Sequence, residues 1–256
     1  MVKSSTSVIV FGAAGRMGAR ICALASEDPE CAITAALTRD GSPREGERVV
    51  SAAGAQRSTP LTLQTPQKLA ESTRCDVVID FSSESGLEHS LAVAQRCGAA
   101  LLVGTTGLSA GAIDSLRRAA AHRPVLLSPN TSLGVAVLAS LVRSAARVLG
   151  PAYECSIVEA HHSRKKDAPS GTAIRLAFAA RASGHPLKDD QVLAIRGGDV
   201  IGEHTVRFAG PGEYIELTHR ATSRDLFALG ALRVSKWLSV QKPGWYTTED
   251  ALGIAG

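Results

Sequence analysis

The chain is short of aromatic residues: five phenylalanines, three tyrosines and two tryptophans make up 4% of its 256 residues. It is also short of surplus charge. Against 24 acids stand 28 lysines and arginines, a net charge of +4 with histidine neutral. A nucleic-acid surface combines a broad basic patch with stacking aromatics, and this composition supplies neither. The densest basic cluster therefore points to a small anionic ligand, and no nucleic-acid partner is expected. Cysteine is sparse and unpatterned. Cys22, Cys31, Cys75, Cys97 and Cys155 are odd in number and form no CxxC. Nor does any cysteine, histidine and carboxylate set have metal-ligand spacing, so no metal is expected. Scattered cysteines predict reduced, mostly buried thiols in a cytoplasmic protein rather than a disulfide framework. No uninterrupted apolar run reaches the ~20 residues of a membrane-crossing helix, so no membrane partner is expected. The N-terminal MVKSSTSVIVFGAAG faintly mimics a leader, but its apolar run is very short and ends in glycine where a strand should turn. Repeats, low-complexity tracts and charge blocks are lacking too.

What is present fits an ordinary globular chain. Hydrophobic residues are 45% and charged residues 20%, enough apolar side chains for a core. The length suits one large domain or two ordinary ones. Apolar runs at 8–11, 31–38, 76–82, 99–107 and 124–130 alternate with helix-like segments to about Ser26, over 85–97 and over 109–122. Strands that are apolar throughout, with helices between them, predict a doubly wound parallel sheet of the Rossmann type. The pattern changes after Asn130. A long helix over 133–149 precedes the strand-like YECSIVEA, a helix over 171–182, and QVLAIR, EHTVRFAG and EYIELTHR, split by glycines. These predict a smaller α+β domain with a mixed sheet. The expected division is a dinucleotide-binding domain over 1–130 and a substrate-binding and oligomerisation domain over 131–231. Residues 232–256, the end of a last helix and a Pro/Gly tail, are expected to return to the first.

Gly12, Gly15 and Gly18 form GxxGxxG between the first strand and the first helix. Such a turn lets a pyrophosphate rest on backbone N–H groups at the helix start. Three glycines also make a plain turn, but a strand before, a helix after and further βα units favour a dinucleotide. An acid at the end of the second strand would bind the adenosine ribose, whereas an arginine accommodates a 2′-phosphate. Here the residues are Thr38, Arg39 and Asp40, which favours NADPH; Asp40 leaves NADH open. GTTG, Gly104 to Gly107, and SPN, Ser128 to Asn130, end the fourth and fifth strands, where ligands of such sheets bind.

The stretch VEAHHSRKKDAPSGTA, Val158 to Ala173, packs His161, His162, Arg164, Lys165 and Lys166 into six residues. Pro169 and Ser170 then signal a helix start whose free N–H groups suit an anion. Read alone, Ser170 is a plain N-cap and Arg164 and Lys166 a solvated basic face. Together the cluster forms a cradle for a substrate with two carboxylates. A histidine can give a proton near neutral pH, and a nearby lysine can neutralise a carboxylate or supply a second proton.

EAHHSRKKDAPSGTA resembles the signature E-[LA]-H-H-x-x-K-x-D-A-P-S-G-T-A of the dihydrodipicolinate reductases. VFGAAGRMG, VVIDFS, VGTTG, SPNTSLGV and GEHTVRF resemble that family's other blocks, in order, so the resemblance spans essentially the whole chain. It implies a homotetramer of the lysine pathway that reduces 4-hydroxy-tetrahydrodipicolinate with NADPH or NADH, losing water. By position it implies His161 as proton donor and acceptor and Lys165 as second proton donor. His162, Ser170, Gly171 and Thr172 would hold the substrate. Gly12, Ala13, Ala14, Gly15, Arg16, Met17, Arg39, Gly104, Thr105, Thr106, Ser128, Pro129, Asn130 and Thr131 would line the cofactor. Two features depart from the family pattern. Thr38 stands where many members carry an acid, and the AIRGGDVIGEHT segment around Arg196 to Gly202 is abbreviated. Two other readings stay open: another NADP-dependent two-domain oxidoreductase acting on a small carboxylate, or a non-catalytic nicotinamide-binding regulator.

Overall fold

A computed structural model describes residues 5–49 and 61–254 of the chain. Positions 1–4 of the leader-like stretch, and 255–256 of the tail, lie outside the described residues. Two compact units emerge, 1–131 with 227–251 and 132–226 with 252–256.

The first unit holds a seven-stranded sheet in the order β11-β6-β5-β4-β1-β2-β3. Its central strands are β1 (Thr6–Phe11), β2 (Cys31–Leu37), β4 (Val77–Asp80), β5 (Ala100–Val103) and β6 (Pro124–Leu127). Every pairing is parallel. The apolar runs follow from this, because a parallel sheet covered on both faces buries both sides of each strand; β4 and β5 are buried at every position. The helices are α1 (Arg16–Ala25), α2 (Glu84–Cys97) and α3 (Ala110–Ala120). The core runs through Ile9, Leu37, Val78, Leu101, Val103 and Leu116, all at zero exposure. Sequence reading missed the short edge strands β3 (Leu63–Gln64) and β11 (Gly244–Tyr246) and the last helix α7 (Thr248–Leu252). β11 extends the sheet beside β6. Within the same unit, Lys236 Nζ of helix α6 (Asp225–Leu238) bridges Asp28 at 2.6 Å and Glu30 at 2.8 Å.

The second unit holds a four-stranded sheet in the order β10-β9-β7-β8. The strands are β7 (Glu154–His161), β8 (Val192–Arg196), β9 (Glu203–Gly210) and β10 (Glu213–Arg220). β7 and β8 are parallel; the other pairs are antiparallel. Helices α4 (Leu133–Leu149) and α5 (Gly171–Ala182) pack on this sheet through Leu138, Val142, Leu176, Ile157, Val206 and Phe208. Among the described residues, Leu133–Ala152 is long and apolar enough to cross a membrane by length and composition, with mean hydropathy 1.5 and a third of its window buried. This corrects the expectation of no such segment. Arg143 and Arg147 interrupt the run, yet its average passes. In this fold Leu138, Ala139, Val142 and Ala146 supply core contacts. All five cysteines are free.

Candidate active site

In the first unit, the turn after β1 is shaped by contacts that only glycine tolerates. Gly12 has φ +74°, and a Cβ there would lie 2.4 Å from the Phe81 carbonyl oxygen. A Cβ on Gly18 would lie 2.2 Å from the Gly12 carbonyl oxygen. Gly15 is the N-cap of α1 and offers no capping side chain to the first-turn N–H groups. The turn is tied to the sheet by Ala13 N–H donating to Leu37 O at 2.9 Å. Arg44 braces it from the far side, its Nη1 donating to Ala14 O at 2.6 Å.

Gly12, Ala14, Gly15, Thr38, Arg39 and Asp40 line one cavity of about 590 Å³. This volume falls within the ~300–1,000 Å³ usual for small-molecule and cofactor sites. Sequence reading missed Phe81, Ser82, Ser83, Gly86 and His89, which wall the same cavity, and Arg44, which adds a second guanidinium. Thr38 is buried, and Asp40 accepts from Gln67 Nε2 at 2.7 Å. A glycine cradle at a helix start fits the pyrophosphate of a dinucleotide.

Two loops follow β5 and β6. Gly104 lies flat on the Phe81 ring; a Cβ there would come within 2.2 Å of it. Thr105 is buried and its Oγ1 donates to Asp80 Oδ1 at 3.1 Å, while Thr106 is exposed. Ser128 Oγ donates to Asn130 O at 2.8 Å and lies 2.9 Å from Thr248 Oγ1. Thr131 Oγ1 donates to Phe227 O at 2.6 Å. The Ser128 and Thr131 hydroxyls thus hold the loop in shape, and Pro129 is the exposed member.

In the second unit, β7 alternates buried and partly exposed positions, as a half-covered strand must. Cys155 and Ile157 continue along one face as Glu159 and His161, so an apolar stripe turns ionic at its end. The register places His161 opposite Arg196, and Glu159 opposite His204, which in turn faces His219. The face therefore gathers one glutamate, one arginine and three histidines. Glu159 is fully buried. Its Oε1 accepts from Arg196 Nη2 at 2.7 Å and from Ser170 N–H at 3.0 Å; its Oε2 accepts from Arg196 Nη1 at 2.9 Å and lies 2.5 Å from His161 Nδ1. Burial alone would raise this carboxyl, but hydrogen bonds from Arg196, His161 and the Ser170 amide hold it below its ordinary value. An ionised carboxylate only accepts, so His161 carries its proton on Nδ1 towards Glu159.

His161 is the last residue of β7, so His162 leaves the strand, and the two side chains escape strict alternation. Burial, then the nearby cations Arg164, Arg224, His161 and Lys165, push the His162 imidazole below its ordinary value. Lys165 Nζ lies 2.8 Å from Asp167. Arg164 pairs with Asp199 at 2.7 Å, both exposed, and Lys166 is exposed, so these two form the solvated edge of the cluster. Ser170 caps α5, its Oγ accepting from Ala173 N–H at 3.2 Å, and lies 3.1 Å from His204 Nε2. Gly171 opens α5, and a Cβ there would meet nothing within 4 Å. A side chain at position 171 would therefore point into open space.

Comparison with known proteins decides the family. Residues 6–131 match the description "Dihydrodipicolinate reductase, N-terminus" and residues 134–252 "Dihydrodipicolinate reductase, C-terminus". The 4-hydroxy-tetrahydrodipicolinate reductase of Anaeromyxobacter dehalogenans is 45% identical, covering 98% of this chain and 99% of its own. That of Stenotrophomonas maltophilia is 41% identical, covering 98% and 100%. A dipicolinate-bound dihydrodipicolinate reductase from Paenisporosarcina sp. TG-14 shares the fold, with TM-score 0.76 at 18% identity over 96% of this chain and 98% of its own. The chain belongs to the dihydrodipicolinate reductase family. It is an oxidoreductase of lysine biosynthesis.

For this reductase, the structure brings Gly12, Ala14, Gly15 and Arg39 together in one cavity. Ala13 and Arg16 line a second, smaller one of about 320 Å³ with Arg20, Arg44 and Arg48. Met17 and the 104–106 and 128–131 segments line neither of these two. His161 and Ser170 converge on Glu159, which sequence reading passed over although it stands inside the quoted signature. Arg196 was noted only as the edge of a shortened segment, and His204 and His219 went unnoticed. One signal for Glu159 was available: on an alternating strand it falls on the buried face with Cys155 and Ile157, where a carboxylate needs partners.

Proposed function

We propose that the reductase converts 4-hydroxy-tetrahydrodipicolinate, a hydride and a proton into tetrahydrodipicolinate and water, with NADPH preferred over NADH. The observation that carries this reading is the convergence of His161, Glu159, Arg196 and the α5 start on one sheet face, within a chain of this family. The first unit acts as the dinucleotide-binding domain. There the α1 start receives the pyrophosphate, Arg39 the 2′-phosphate, and the loops at 104–106 and 128–131 the nicotinamide end. When bound, the nicotinamide supplies a hydride.

The second unit acts on the substrate. The α5 N–H groups at Gly171 and Thr172, with the Ser170 cap and His162, take one carboxylate. Lys165 lies in the same loop, and its charge lowers the cost of the negative charge that spreads over the ring as hydride arrives. His161 delivers a proton from Nε2 to the ring carbon, and Lys165 supplies the second proton source. Here the donors exceed what a single carboxylate needs, which suits a dicarboxylate.

The same reading makes the enzyme a cytoplasmic homotetramer. It is supported by apolar side chains that the second unit leaves exposed, among them Val137, Leu141, Ile174 and Phe178 on its helices and Leu193 and Ile195 on β8. Light scattering of the purified chain would read four protomers.

The deciding experiment is coupled turnover. The substrate is generated in situ, and nicotinamide absorbance is followed with each cofactor. His161→Gln and Lys165→Ala are each expected to lose on the order of a hundredfold in kcat with intact folding. Near wild-type kcat in both folded variants overturns the assignment of the site. Failure of the wild type to oxidise either cofactor overturns the substrate.

A further inference from the structure

Glu159 has no proton-transfer role in the chemistry assigned above, yet with Arg196 it forms the most heavily bonded pair of the second unit's ionic face. Its two oxygens take four hydrogen bonds: two from Arg196, one from His161 and one from the Ser170 amide. Arg196 Nη2 also donates to Asp167 O at 2.6 Å, and Nη1 to Ile195 O at 2.7 Å. The pair therefore grips the 162–170 loop at two points, Asp167 and Ser170. A buried ion pair of this kind contributes little net stability compared with apolar residues of equal shape. Its geometric consequence is larger. With Nδ1–H committed to Glu159, His161 presents Nε2. On that side lies Gly202, where an added Cβ would stand 3.1 Å from Nε2.

We propose that Glu159, clamped by Arg196, is the positioning residue for His161: it holds the Nδ1 proton and leaves Nε2 as the proton-delivering atom, on the side that Gly202 keeps clear of a side chain. In turnover, His161 imidazolium breaks its Nε2–H bond as the substrate C–H bond forms. The electron pair stays on Nε2, and the neutral ring keeps Nδ1–H on Glu159. The groups facing His161 are Glu159 on its own strand, Arg196 from β8 and His204 from β9, whose ring centroid is 5.1 Å away. Lys165 lies in the following loop, and His219 stands one rung beyond His204. Arg196 and Lys165 are cations, burial holds the His204 and His219 imidazoles below their ordinary value, and Glu159 is the anion that faces the ring.

This proposal rests on His161 being the proton donor, and its test separates the two ideas. Glu159→Gln is expected to lower kcat by on the order of ten- to a thousandfold while KM moves within about threefold. The apparent pKa of the acid-requiring limb of the kcat profile should fall by about one unit. Nitrogen-15 NMR of the histidines should show neutral His161 with its proton on Nδ1 in the wild type and a shift towards Nε2–H in the variant. Because Glu159→Gln strands a part-buried arginine, the double variant E159Q/R196M is made as well. It should recover the thermal midpoint but not kcat or the tautomer, while Glu159→Asp should restore part of both. Recovery of kcat along with the midpoint in the double variant, or an unchanged tautomer in Glu159→Gln, overturns the proposal. A wild type without turnover refutes the reductase reading, and the NMR titration still decides the role of Glu159.

Discussion

Ser170 Oγ lies 3.1 Å from His204 Nε2, so the cap of α5 and a buried histidine of β9 share a hydrogen bond. Burial, then the charge of His161, pushes the His204 imidazole down to about 4 from an ordinary 6.5. Its Nδ1 is buried and has no partner among the described residues. The neutral ring is therefore part of the folded state.

A pH dependence of stability follows. The folded pKa lies below the unfolded one, so folding excludes a proton between them. The stability that neutral His204 contributes is complete above pH 6.5 and is lost as pH falls towards about 4. At one decade per 1.4 kcal/mol, the shift amounts to on the order of 3 kcal/mol. His219 and His162, also held below their ordinary values chiefly by burial, lose stability in the same direction. The thermal midpoint should fall on acidification from pH 7 to pH 4.5, and more shallowly in His204→Gln. An equally steep fall in the variant would remove His204 from the account.

The two glycines at the start of α1 should separate fold from affinity. Gly18→Ala drives a Cβ to 2.2 Å from a backbone oxygen and 2.6 Å from a backbone carbon of Gly12. No side chain can swing aside there, so the turn must open, at a cost of about 1–3 kcal/mol or more. Gly15 has φ −79°, and a Cβ there would meet the Gly12 carbonyl oxygen at 3.1 Å, a contact relieved by a few tenths of an ångström, so alanine there should lower the thermal midpoint much less than at position 18. It would still crowd the approach to the helix N–H groups, and the Kd for NADPH should rise at least about tenfold. Thermal scans and fluorescence titration read the two effects apart. A Gly15→Ala variant with unchanged Kd would show that the pyrophosphate does not approach there.

The elements that sequence made legible are those whose patterns are local. Buried parallel strands read as continuous apolar runs, and α4 and α5 were read with the ends the structure shows, because Ser132 and Ser170 cap them with their side chains. β3 and β11 were missed because two or three residues at a sheet edge carry no period of their own. His161 and Ser170 stood out as chemistry in a compact cluster. The partners beyond Glu159 come from distant parts of the chain through strand register: Arg196 across from His161, His204 across from Glu159, one more rung to His219. Register is a tertiary property. The alternation along β7 constrains which face Glu159 occupies, not what meets it there.

In the proposed reading, cofactor choice rests on the end of β2. Thr38 is buried and uncharged, while the guanidinium groups of Arg39 and Arg44 line the same cavity. An acid at position 38 would accept from a ribose hydroxyl and repel a phosphate; threonine has no charge with which to repel one. Arg44 is already committed to Ala14 O and to Glu47 at 2.8 Å, which leaves Arg39 as the group to meet a 2′-phosphate. Arg39→Ala should therefore raise the Kd for NADPH at least about tenfold, as loss of a charge-assisted contact does, and leave NADH within about threefold. Thr38→Glu should shift the preference towards NADH by placing a carboxylate that repels the 2′-phosphate. Fluorescence titration without substrate measures both, with 2′,5′-ADP and 5′-AMP as competitors. Equal losses for NADPH and NADH in Arg39→Ala would show that this arginine does not read the phosphate, and would turn attention to Arg44.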